Sequence, residues 1–66
     1  MEPLTDAEKD HFAKYCDSVV READAAYAWW RSRGDKYMAS RFNIEALAHR
    51  MVALRLRSEQ VAEAAR

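Results

Sequence analysis

NIEALAHRMVALRLRSEQV, residues 43–61, carries more apolar surface than one neighbouring helix can cover. At the helical step of about 100° per residue, Ile44, Leu47, Met51, Leu54 and Val61 fall in one arc about 100° wide, the core stripe of an amphipathic helix. Met38, Phe42, Val52 and Leu56 fall in a second, roughly opposite arc. Arg41 and Arg55 lie on one flank between the arcs, and Asn43, Arg50 and Arg57 on the other. A helix apolar on two sides must bury its second side against something beyond its own chain or leave a patch exposed. In a chain of 66 residues, that something is expected to be another molecule.

Working outward, Gly34 is the only glycine and stands where a left-handed residue closes a helix, after the cations Arg31 and Arg33. Asp35 then caps the next segment, which runs from Lys36 towards Ala65. Asn43 is a good cap residue and offers a restart, but Tyr37 continues the heptad phase of Ile44 and Met51 without a slip, which favours one unbroken helix. Upstream, Thr5-Asp6-Ala7-Glu8 matches a capping box, and Pro3 discourages any earlier start. From there Phe12, Cys16, Val19, Ala23, Ala26 and Trp30 follow a 4-3-4-3-4 spacing, with Ala13, Val20 and Tyr27 widening the stripe.

No segment alternates as a strand does. The expected fold is all-α: one domain over residues 1–66, an antiparallel helical hairpin with helix 1 at about 5–33, a turn at 34–35 and helix 2 at about 36–65. So small a chain builds a meagre core by itself, and dimerisation into a four-helix bundle is the expected remedy. The Ile44 arc is expected to face helix 1 and the Met38/Phe42 arc to face a partner. The reverse assignment, with the Ile44/Leu47/Leu54 arc left for the dimer, satisfies the same pattern.

Formal charge is zero, with 11 basic and 11 acidic residues, which argues against a dedicated polyanion binder. Residues 1–33 hold 5 Lys/Arg and 7 Asp/Glu (net −2), and 34–66 hold 6 and 4 (net +2), so the halves attract when folded together. Cys16 is the only cysteine, which fits a reducing compartment and leaves no disulfide framework. Neither a long apolar span nor a secretory leader is visible, so the expected location is the cytoplasm.

Chemistry-bearing constellations are sparse. Cys16, with His11 or His49 as candidate base, lies in the core stripe, where a free cysteine acts as a small hydrophobe. His11 and His49 lack the spacing of a metal site, and Asp6/Asp10, Glu59/Glu63 and Glu22/Asp24 fall on solvated faces. No glycine-rich loop cradles a phosphate. The chain is therefore expected not to be an enzyme and to need no cofactor or metal.

Trp29 stands off the centre of the helix 1 stripe, as an interface anchor does. The i, i+4 pair Glu45–His49 puts a carboxylate one turn before an imidazole at the edge of the second arc, which would favour the protonated ring. The residues expected to bind protein are accordingly Trp29, Tyr37, Met38, Arg41, Phe42, His49, Val52, Arg55 and Leu56.

In architecture alone the chain resembles the small helical-hairpin co-chaperones of type III secretion needle subunits, which are also short cytoplasmic proteins with a glycine-containing turn. No functional residue carries over from that outline. The expectation is a non-enzymatic interaction module, a small regulator, inhibitor or chaperone, whose partners are itself, as a homodimer, and an unidentified larger protein. The alternative is a small DNA-associated regulatory protein acting as a dimer; no membrane partner is expected.

Overall fold

The computed structural model describes residues 2–65, so Met1 and Arg66, the ends of the expected domain, lie outside the described residues. Two helices, α1 (Asp6–Ser32) and α2 (Lys36–Ala64), pack along their length in an antiparallel hairpin measuring 49 × 22 × 17 Å. α2 passes through Asn43 without interruption.

Local chemistry accounts for each end. The Glu8 backbone N–H donates to Thr5 Oγ1 at 3.2 Å, and the Thr5 N–H donates to Glu8 Oε1 at 2.9 Å, completing the capping box. That bond to the Thr5 backbone holds the Glu8 carboxyl below its ordinary range. At the other end Gly34 takes φ +78°, the Asp35 N–H donates to the Trp30 carbonyl at 3.1 Å and the Gly34 N–H to the Arg31 carbonyl at 3.0 Å. These are the two bonds of a Schellman ending. Asp35 then accepts from the Met38 N–H at 3.0 Å and starts α2.

The seam between the helices is built from small side chains. Ala13, Cys16 and Ala23 of α1 and Ala39, Ala46 and Ala53 of α2 are the buried residues, and the alanines of α2 recur at every seventh position. Half-buried Phe42, His49, Leu56 and Gln60 complete a 3-4 repeat on α2; Lys9, Val20, Tyr27 and Trp30 do so on α1. Both runs follow the spacing of a coiled-coil seam.

Interhelical ion pairs mark the register: Asp24–Arg50 at 3.1 Å, Asp17–Arg57 through two parallel hydrogen bonds, and Lys9–Glu63 at 3.0 Å. In that register Cys16 comes level with Leu56, Ala23 with His49, Val20 with Ala53 and Tyr27 with Ala46. A small residue on one helix thus stands level with a larger one on the other, an arrangement that permits close approach of the backbones.

This seam reverses the expected division of α2. Ile44, Met51, Leu54 and Val61, expected to face α1, keep 61% to 69% of their surface exposed, and Leu47 keeps 47%. Met38, Phe42 and Leu56, expected to face outward, are half-buried against α1. The physical reason is the alanine heptad, which lies on the Phe42 side of the helix and makes that side the one that can be approached closely. A smaller rotation applies to α1: the seam turns from Phe12 towards Ala13, leaving Phe12 43% exposed.

Candidate functional site

Among the described residues, two apolar surfaces stand out beyond the seam. One is the outward stripe of α2. Tyr37, Ser40, Ile44, Leu47, Met51, Leu54, Ser58 and Val61 follow an unbroken 3-4 spacing, so they form a continuous stripe of coiled-coil periodicity nearly diametrically opposite the seam. The hydrophobicity of α1 points to one side, whereas that of α2 cancels around its axis, as two opposed apolar faces require.

The second surface is the lateral face where α1 and α2 meet. Here Phe12 and Tyr15 pack edge to face at 6.3 Å, and Tyr15, Val19, Glu22, Ala26, Phe42 and Glu45 line a shallow groove. Val52, 40% exposed, projects on the same side of α2. The opposite lateral face carries the ion pairs Asp17–Arg57 and Asp24–Arg50 and is polar.

The structure distributes the nine expected binding residues unevenly. Met38, Phe42, His49 and Leu56 belong to the rim and floor of the hairpin seam; Trp29, Tyr37, Arg41, Val52 and Arg55 are exposed. Trp29 stacks edge to face on Trp30 at 4.8 Å, with the Arg33 guanidinium 3.4 Å from its ring centroid. This pair covers part of an anchor that sequence reasoning left open. Tyr37 starts the outward stripe, Arg41 and Arg55 border it, and Val52 points to the lateral face.

His49 Nδ1 lies 2.8 Å from the Glu45 backbone carbonyl. A carbonyl only accepts, so Nδ1 carries the proton, and the imidazole is fixed by the backbone of its own helix in place of the expected Glu45 carboxylate. Cys16 is fully buried, and burial first, then the neighbouring Asp17, pushes its thiol above the ordinary range. A nucleophile needs the opposite shift and an open approach.

The electrostatics of the stripe are local. Arg57 holds the Asp17 carboxyl below its usual range, and Arg55 lies 3.5 Å from Glu59. Of the cations bordering the stripe, Arg50, Arg55 and Arg57 are thus paired, while Lys36 and Arg41 have no ion pair among the described residues. No His, Cys, Asp and Glu cluster of metal-binding size occurs among the described residues, and no described helix is long and apolar enough to cross a membrane.

The chain matches no family model, no curated protein and no solved structure.

Sequence reasoning missed the role of the alanines of α2. Ala39, Ala46 and Ala53 carry a spacing of seven that a count of large apolar residues passes over, and that spacing is the signal that would have placed the inner face.

Proposed function

We propose that this chain is a non-enzymatic protein-interaction module of the cytoplasm, a helical hairpin that associates through α2 and regulates, inhibits or chaperones a larger protein. The observation that carries the reading is the outward heptad of α2. Five large aliphatic side chains are exposed there in one continuous stripe, with arginines at its edges, the composition of an interface centre and its rim. The lateral face around Phe12, Tyr15 and Val52 supplies a separate apolar surface, so self-association and capture of another protein need not compete.

The DNA-associated alternative draws less support. Arg50, Arg55 and Arg57 already face carboxylates, which lowers the positive potential that phosphates would meet.

A photo-crosslinking residue placed at Met51 or Tyr15 in the native host tests the reading. A discrete adduct with a larger protein is expected at Tyr15, lost on substitution of its neighbour Phe12 by Asp, and an adduct with that protein or with a second copy at Met51, lost on substitution of Leu54 by Asp. An absence of protein adducts at both positions, together with salt-dependent binding of duplex DNA, would sink it.

A further inference from the structure

We infer that the outward stripe of α2 is covered by α2 of a second copy running antiparallel, so that four helices lie in a row, α1–α2–α2–α1, and do not close into a square bundle. The inference rests on the interaction reading above and specifies its first partner.

The stripe is self-complementary when reversed. Its residues are Tyr37, Ser40, Ile44, Leu47, Met51, Leu54, Ser58 and Val61. Placing the two-fold axis level with His49 pairs Leu47 with Met51 of the second copy, Ile44 with Leu54, Ser40 with Ser58, and Tyr37 with Val61. Every large apolar residue then meets another, and each serine meets a serine, whose hydroxyls donate and accept in the same layer. An a position faces a d position in each layer, as antiparallel coiled-coil packing requires.

Charge supports the same direction. Along one edge of the stripe stand Arg41, Glu45, Arg55 and Glu59. Reversal brings Arg41 level with the Arg55–Glu59 pair of the second copy and Glu45 level with Arg55, which mixes the signs. A parallel alignment sets Lys36 against Arg41 and Arg50 against Arg55, like against like. At the axis of the antiparallel form the two Arg50 side chains approach, each bound to its own Asp24. With zero formal charge per chain, the copies carry no overall repulsion.

The area suffices. Tyr37, Ile44, Leu47, Met51, Leu54 and Val61 are 47% to 72% exposed, so covering them buries on the order of 700 Å² per copy and about 1,400 Å² in all, within the range of specific interfaces. The row geometry follows from the wheel. The stripe is centred about 160° from the inner seam, whereas a square bundle needs contacts about 90° from it.

Spin labels on the full chain, in a Cys16→Ala background, test both geometry and direction. Ala25 lies on the exposed outer side of α1, level with His49, so labels at Ala25→Cys should sit about 40 Å apart across three interaxial spacings; a square bundle gives roughly 25 Å. Labels at Lys36→Cys should also sit about 40 Å apart, since position 36 is level with 62 of the second copy, whereas a parallel pair gives about 10 Å.

Sedimentation should show a dimer at micromolar concentration. Leu47→Asp should weaken it at least tenfold with helical circular dichroism retained in the hairpin, and Ser40→Leu with Ser58→Leu should tighten it, an effect that unfolding cannot mimic. A monomer at 100 µM in both the native chain and the double leucine variant, or the short distance at either label, overturns the inference. A monomer that still crosslinks another protein through Met51 leaves the interaction reading intact, whereas a dimer that crosslinks nothing else defeats that reading and not this one.

Discussion

Cys16 shows how little space the seam allows. It is fully buried and level with Leu56, and its thiol is pushed up by burial, so it is packing material held out of reach of reagents. Cys16→Ala should cost about 1 kcal/mol in urea-melt stability, and thiol labelling of the native chain should proceed only at the rate of global unfolding. Faster labelling would show an opening of the seam that the buried position forbids. Asp17 adds a pH signature. Its folded carboxyl lies below the ordinary value because of Arg57, so its contribution is present above the unfolded pKa and is lost as pH falls through the folded one. Asp17→Asn should therefore lower the melting temperature at pH 7 and leave it almost unchanged near pH 2, in a thermal-melt series across that window.

Among the elements, the termini were legible and the faces of α2 were not. Thr5, Glu8, Gly34 and Asp35 announce their roles because a cap or a left-handed turn demands particular side chains at particular offsets. The choice between two apolar arcs rests on which permits closer approach, and that is decided by residues with almost no side chain. Alanine looks neutral to a reading based on hydrophobic size. Ala46→Leu should consequently destabilise the hairpin by about 1–3 kcal/mol through forced separation of the helices, measured by chemical denaturation. Ile44→Ala, on the exposed stripe, should leave the folding of a single hairpin nearly unaltered while weakening association. Equal losses of helix content in the two variants at high dilution would contradict the assignment of inner and outer faces. At the turn nothing obstructs a side chain on Gly34, so the cost of Gly34→Ala is that of the positive φ alone, about 1 kcal/mol.

For the whole molecule, the hairpin architecture was readable from heptad spacing and one glycine, whereas the exposure of the residues expected to bind protein was legible only in part. Tyr37, Arg41 and Arg55 stand on or beside the exposed stripe, but Met38, Phe42, His49 and Leu56 were drawn into the hairpin because the seam took their side of α2. Among the described residues the buried ones are five alanines and one cysteine, so few large side chains are committed to the interior. The melting temperature should thus rise with protein concentration, by several degrees between about 1 and 100 µM, as mass action couples folding to association. A melting temperature independent of concentration would mean that the single hairpin is sufficient unto itself.

The interhelical ladder has a further property. Arg50 and Arg57 are seven residues apart, as are Asp17 and Asp24, and the alanines of α2 share that interval. Shift α2 by one heptad, about 10 Å, and alanine again faces the seam while Asp17 meets Arg50 and Asp10 meets Arg57. Like a vernier with identical teeth, the contact surface accepts more than one alignment, and what selects a single one is the three-residue tether of Arg33, Gly34 and Asp35. Loosen that tether with a few inserted glycines, and a uniquely threaded fold becomes a sliding one.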